Sequence, residues 1–452
     1  MATEALASWA SRLQWAAIPN KTQTAAVQSL YNYIGCTIYG SSHPAVKRAT
    51  DALEPLFGAR ICSLLGTSIK TDPQHAALLN GIASHVHDYD DTHLETIIHP
   101  TGPVASAILA YAEYKRGVSG EELLTALVAG IEAECKAGLA VWPTHYDAGW
   151  HITSSTGSIG AAVGVGRLMK LEPERMAHAI GLAAAQVVGL REMFGSDCKS
   201  FHPGRAAQAG LLASLLAEKG YTSSTKALEA KRGWANVVVC GGQPQLDKYI
   251  GSLGDVWETA KNSFKPFPCG IVKHPAIDAA IQIHHRLKSS GQLVQLKSMR
   301  FECQVHPLVI ELTSKPTPQD GLQAKFSVFH GVAVGLLYGK AGPGQYADEV
   351  VRDSTVIAVR DSVKAFSSDS IRSDEAIVKA IELNSDKEVA QVHVDYAVGS
   401  LEKPLDRKML EEKFIDQVAL DFGSTVAKEM SNTAWSFESQ ADVSIVLEQL
   451  RV

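Results

Sequence analysis

The sequence predicts a mainly α fold: a large all-α helical domain, a smaller α+β domain, and a C-terminal helical segment that packs back on the first. Three observations carry this. Apolar residues recur at three- and four-residue spacing up to about residue 265, the period of an amphipathic helix. Apolar–polar alternation, the period of a half-buried strand, appears only after "KPFPCG", in 298–310 and 388–399. A chain of 452 residues also exceeds what one ordinary core organises. The expected boundaries are 1–265, 266–402 and 403–452.

Taken in order, "MATEALASWASRLQW" has an early glutamate and no basic start, so it reads as an amphipathic helix rather than a signal peptide. Helical spacing follows in "AVQSLYNYIGCTIYG", "PVASAILAYAEYKRG", "EELLTALVAGIEAECKAGLAVW" and "AAQAGLLASLLAEKG", and Gly or Pro closes most of these segments. Asp72 as N-cap and Pro73 in the first turn open a further helix. In the second domain "PAIDAAIQIHHRLK" and "FSVFHGVAVGLLYG" read as helices, and "SMRFECQVHPLVI" and "EVAQVHVDYAVG" as strands. The tail "DRKMLEEKFIDQVA" is helical again. "GVGRLM" and "GKAGPG" lack the preceding strand or the Gly-Lys-Ser/Thr order of a nucleotide loop, so they read as packing and turn glycines.

Apolar residues make up 46% and charged residues 20%, the balance of a soluble globular protein. A formal net charge of −6 excludes broad nucleic-acid binding but leaves room for a small anionic substrate held by local cations. The seven cysteines (Cys36, Cys62, Cys135, Cys198, Cys240, Cys269, Cys303) form no C-x-x-C pair. That spacing suits neither structural zinc nor an iron–sulfur cluster, and it fits a reducing compartment. The longest apolar stretches, such as "IGLAAAQVVGL", run about eleven residues, short of the roughly 18 that span a membrane. A cytoplasmic protein with no membrane or nucleic-acid partner is expected.

The chemistry concentrates in "ASHVHDYDDTHLETIIHP" (83–100), with four histidines and three aspartates. If the helix opened by Asp72 continues through it, at about 100° per residue, Leu78, Ile82, Val86 and Tyr89 form the buried face. His85, Asp88 and Thr92 then lie on its edge, and His87, Asp90 and Asp91 on the solvated side. His85 and His87 would stand about 160° apart and share no ion. The rival readings are a metal-dependent phosphohydrolase built on His87-Asp88, and a helical protein with no catalysis. "DAGWHITSSTGSIGAAVGVG" places His151 just before a small-residue helix opened by Ser and Thr. "FGSDCKSFHPGRAAQAG" gathers Lys199, His202 and Arg205 before another. Together these segments offer acid–base groups beside cations, the chemistry that a polycarboxylate requires.

With "HDYDDTHLETIIHPTGP", "GWHITSSTGSIGAA", "MFGSDCKSFHPGRAAQAGLLA", "FKPFPCGIVKHPAIDA" and "KPTPQDGLQAKFS", the chain resembles the MmgE/PrpD family over nearly its whole length. That family contains 2-methylcitrate dehydratases, cis-aconitate decarboxylases and a related iminodisuccinate epimerase. The resemblance implies an α+β lid over the helical domain, an active site in the cleft between them, a homodimer, and catalysis with no cofactor and no metal. It places Asp88 and Thr92 on the active-site helix, His99 on the His of the "HP" turn, His151 on the next active-site His, and Lys199 on the lysine before the small-residue helix. Lys273 and His274 fall in the matching lid-hinge stretch. Two positions depart from the vertebrate decarboxylases: Gly270 replaces a His, as in fungal decarboxylases, and Leu312 replaces a Tyr.

These matches imply lyase chemistry next to a carboxylate. Lys199, with His202, Arg205, Lys273, His274 and Thr92, would bind a small di- or tricarboxylate. Asp88, His99 and His151 would carry the acid–base steps. Leu312, expected to line the pocket, favours dehydration of a 2-methylcitrate-like substrate over release of carbon dioxide from cis-aconitate.

Overall fold

In the computed structural model, which describes residues 1–452, Asp72 accepts from the backbone N–H groups of Gln74 and His75, with Pro73 in the first turn. The helix it opens runs Pro73–His85. The major helices of the N-terminal part are α1 (Asn20–Gly40), α2 (Pro73–His85), α3 (Thr101–Lys115), α4 (Gly120–Val141), α5 (Ile152–Leu168), α6 (Pro173–Ala184) and α7 (Cys198–Glu218). Strands here are two or three residues long, such as Cys62–Ser63 paired with Lys70–Thr71.

The centre of this unit is α5, buried at every residue from Ile152 to Gly166 and packed by α3, α4, α6 and α7. Small residues make that burial possible. A Cβ on Gly160 would lie 2.8 Å from the carbonyl oxygen of Gly130 on α4, and one on Gly210 of α7 would lie 2.4 Å from the Cβ of Ala161. Helices that meet at backbone distance have no room for a longer side chain. The buried hydroxyls are paired: Thr156 Oγ1 donates to Ile152 O at 2.7 Å, and Ser154 Oγ to His202 O at 3.1 Å.

The chain divides into two units. Met1–Val86, Asp90–Ser263 and Met409–Val452 form one; His87–Tyr89 and Phe264–Lys408 form the other. The second unit holds α8 (His274–Ser289), α9 (Val328–Tyr338) and a four-stranded sheet of β1 (Met299–Val305), β2 (Val363–Ser367), β3 (Ala376–Glu382) and β4 (Glu388–Val394). Strand order is β2-β1-β3-β4, with β1 parallel to β2 and the other pairs antiparallel. Register aligns Cys303 with Val378, and Val378 with Val392. Met299, Phe301, Cys303 and Val305 alternate into a core that α8 and α9 complete.

The chain then enters the helical segment α10 (Arg407–Trp435), broken at Gly423, whose φ is 77°. From Met409 onward it belongs to the first unit. Trp435 stacks on Tyr31 of α1 at 3.8 Å, Tyr31 Oη lies 2.6 Å from Ser431 Oγ, and Lys413 Nζ donates to Asn32 Oδ1 at 2.6 Å. No helix is long and apolar enough to cross a membrane.

Candidate active site

The helix α2 stops at His85, where a continuous helix through Thr92 was expected. Asp88 takes a left-handed conformation with φ of 53°, which turns the chain out of the helix. Asp91–His93 is then extended, and His93 N–H donates to Ile98 O at 2.8 Å. The helical face assignments beyond His85 therefore fail. Asp90 and Asp91, expected in solvent, are 2% and 1% exposed. Ile97 also sits at φ of 59°, a conformation costly for a β-branched residue, two residues before His99.

Asp90 is the hub of the first unit's cluster. Nδ1 of His85 donates to its Oδ2 at 2.6 Å, and Nδ1 of His99 lies 3.2 Å from its Oδ1. Nδ1 of His99 donates to the carbonyl of Asp91 at 2.8 Å, with Thr92 Oγ1 at 3.5 Å. On the far side of His85, Lys199 Nζ donates to Nε2 at 2.8 Å. Lys199, His202 and Arg205 lie within α7 rather than before it. Arg205 turns to Gln208 Oε1 at 2.6 Å and does not join this network.

His151 sits at the N-cap of α5, its N–H bonded to Gly189 O at 3.0 Å and its Nδ1 2.8 Å from Nδ1 of His202. Ring centroids of His85 stand 4.7 Å from His99 and 5.9 Å from His151. Burial, with Lys199 nearby, holds His85, His151 and His202 neutral. It pushes His202 down to about 4 and His151 well below the usual imidazole range. His85 is lowered to about 3 by burial, against the pull of Asp90. Burial tends to raise Asp90, but His85 and His99 override it and keep the carboxyl well below its ordinary value. We assign Asp90 as carboxylate and His85 as neutral, because an ammonium can donate only to a ring nitrogen that has a lone pair.

The second unit holds the other candidates. Lys265 Nζ donates to Oδ1 of Asp88 at 3.0 Å and to its backbone carbonyl at 3.2 Å. Lys325 Nζ donates to His87 O at 2.7 Å and stands 3.2 Å from His87 Nδ1. Both lysines are buried. Neither was singled out in the sequence, although both lie in quoted motifs; a lysine inside the apolar run "SFKPFP" was the available signal. Two buried ammonium groups against His87-Asp88 disfavour a dication there, which weakens the phosphohydrolase reading. Lys273, the residue chosen from that motif, is fully buried. It donates to the carbonyls of Ala324 and Ser327 at 3.0 and 2.8 Å, and burial lowers its pKa. His274 Nε2 bonds Cys269 O at 3.2 Å. Both side chains tie backbone together.

Comparison with known families matches the MmgE/PrpD N-terminal domain over residues 4–247 and the MmgE/PrpD C-terminal domain over 267–438. The chain belongs to the MmgE/PrpD family. It is similar to a cis-aconitate decarboxylase-like protein of Aspergillus oryzae, at 25% identity over 98% of this chain and 96% of that protein. It is also similar to the cis-aconitate decarboxylase of Aspergillus terreus, at 24% over 99% and 95%. The 2-methylcitrate dehydratase of Escherichia coli matches at 23% over 87% and 85%.

Within this MmgE/PrpD chain, ligand atoms of His85, Asp90 and His99 lie within 4.8 Å of one another, a spacing that a metal could bridge. The hydrogen bonds oppose it: Nδ1 of His85 gives its proton to Asp90, Nδ1 of His99 gives its proton to the carbonyl of Asp91, and an ammonium occupies Nε2 of His85. A protonated ring nitrogen has no lone pair to give. Leu312, half-buried, packs against the apolar core of the α+β unit. A Cβ on Gly270 would meet Thr313 Cγ2 at 3.1 Å.

Proposed function

We propose that this MmgE/PrpD lyase removes a proton from a carbon next to a carboxylate of a small tricarboxylate, and that the reaction is dehydration of a 2-methylcitrate-like substrate. The observation that supports it is the presence of two separate histidine pairs: His85/His99, whose Nδ1 atoms lie 2.6 and 3.2 Å from Asp90, and His151/His202, joined at 2.8 Å. Dehydration needs one group to take a proton and another to give one to the departing hydroxyl. His99, with Nδ1 held by acceptors, has Nε2 as its basic nitrogen. His151, backed by His202, is the proton donor.

Charge arranges the timing. In the empty site His85, His151 and His202 are neutral through burial and the field of Lys199. A tricarboxylate brings negative charge beside Lys199 and favours a protonated imidazole, so the acid is armed when substrate is present. Lys199 then stabilises the charge that builds on the carboxylate as the α-proton leaves. Asp88 is held by Lys265 within its own unit, and we carry Thr92, of the first unit, forward as a substrate contact.

A second reading is decarboxylation of cis-aconitate, favoured by the decarboxylase names of the Aspergillus relatives, which align with 98% and 99% of this chain. It needs a single proton delivery to the carbanion left by carbon dioxide. Separate incubations with 2-methylcitrate and cis-aconitate, with products followed by mass, distinguish the two. Loss of water from the first is expected; itaconate from the second and nothing from the first would replace dehydration with decarboxylation. The homodimer that the resemblance implies belongs to the same proposal, and a light-scattering mass of one chain would remove it.

A further inference from the structure

We propose that Asp90 is a positioning residue that fixes the tautomer of His85 and, through it, seats the ammonium of Lys199. Three groups form one hydrogen-bonded line: Lys199 Nζ to His85 Nε2 at 2.8 Å and His85 Nδ1 to Asp90 Oδ2 at 2.6 Å. A carboxylate is an acceptor only, so His85 must turn its Nδ1–H toward Asp90, and the lone pair of that ring is left on Nε2, where it receives the lysine. His99 Nδ1 lies 3.2 Å from Asp90 Oδ1, but its proton goes to the carbonyl of Asp91 at 2.8 Å, which leaves Nε2 of His99 to take a substrate proton.

The neighbouring aspartate shows what a purely structural carboxylate looks like here. Asp91 Oδ2 accepts from Thr101 N–H at 3.2 Å, from the Thr101 hydroxyl and from Asn262 Nδ2 at 2.5 Å. These donors are backbone, hydroxyl and amide, so none of them titrates near neutrality. Asp90 instead takes an imidazole. The charged and titratable groups of the first unit that face it include His85 from α2, His99 from the turn before α3, Asp91 beside it, and Lys199 from α7 through His85. Burial of His85 at 2% exposure and Asp90 at 2% keeps water from substituting for either partner.

This role deepens the lyase reading and rests on it only for kinetics. The test is ¹⁵N NMR of the histidine rings in the full-length protein, assigned by single histidine substitutions, together with Asp90→Asn. In the wild type at neutral pH His85 is expected to carry the proton on Nδ1. An amide can donate as well as accept, so it no longer forces an Nδ1–H on the ring beside it. In Asp90→Asn His85 is therefore expected to carry part of its proton on Nε2, while His99, held by the carbonyl of Asp91, keeps Nδ1–H. In the same variant kcat is expected to fall about 10²-fold or more, the size of a misplaced acid–base group, with the pH profile displaced. A wild-type His85 with Nε2–H would overturn the proposal even if Asp90→Asn does not fold. So would an Asp90→Asn protein whose His85 tautomer and pH profile are unchanged, whatever its melting temperature. A wild-type protein that turns over no tricarboxylate, yet whose His85 carries Nδ1–H and shifts it in Asp90→Asn, would overturn the lyase reading and support the role of Asp90.

Discussion

Lys199 shows how much one side chain governs here. Its ammonium bonds His85 and contributes to the lowering of His85, His151 and His202. Lys199→Met removes that field, so the three imidazoles rise toward their ordinary range. The acid limb of the pH–rate profile is expected to move to higher pH, and KM for a tricarboxylate to rise at least about tenfold, the cost of one charge-assisted hydrogen bond. Stability should change by only about 1 kcal/mol, because one buried acceptor loses its donor. A profile and KM identical to wild type would show that Lys199 has no part in the site. His99, His151 and Lys199 were legible as residues, since each stands in a distinctive motif. Asp90 was not, because the helical projection was carried past His85, where Asp88 leaves helical geometry at φ of 53°. Nothing in residue types alone marks that break.

At the level of elements, His85 and Lys199 meet only because α2 and α7 approach without side chains between them. A Cβ on Gly81 would lie 2.5 Å from Gly204 Cα, and one on Gly204 would lie 2.3 Å from Leu78 O. Both obstacles are backbone, so no rotamer change relieves them. Gly204→Ala gains about 1 kcal/mol of helix propensity but must push the helices apart, at about 1–3 kcal/mol. Net destabilisation is expected in chemical denaturation, with turnover falling because Lys199 is carried away from His85. A more stable, fully active variant would mean that the contact is not tight. The helices were legible from their spacing, and so was the Asp72 cap. β2 and β3 were missed for different reasons. In β2 only Val363 is buried, so the strand shows no alternation. In β3 the apolar "AI" at 380–381 puts two buried residues in succession and breaks the period.

For the molecule as a whole, burial has charged consequences in both units. His85, His145 and His202 in one, and His274 and His330 in the other, are held neutral, with values of about 3, 4, 4, 3 and 4. A histidine depressed by folding takes no proton in the native state but takes one on unfolding below about 6.5. The unfolded chain then binds more protons, so stability falls as pH drops from about 6.5 toward the folded value. Burial raises Asp91, Glu113, Glu132 and Glu134, which act in the opposite sense because the native state holds the extra proton. The overall slope is a difference of these two sets, so a single group must be isolated. His330 lies on α9 of the α+β unit, buried, with Nε2 donating to Gln345 O at 2.9 Å. His330→Gln keeps a donor and removes the titration. At pH 7 the variant should be less stable than wild type through poorer packing. Below about 6.5 the gap should close by about 1.4 kcal/mol per pH unit until pH nears 4, because only the wild-type unfolded chain gains that proton. Urea unfolding of both proteins from pH 7 to 5 measures it. A gap independent of pH would mean that His330 titrates alike in the folded and unfolded chains, and that its burial does not hold it neutral.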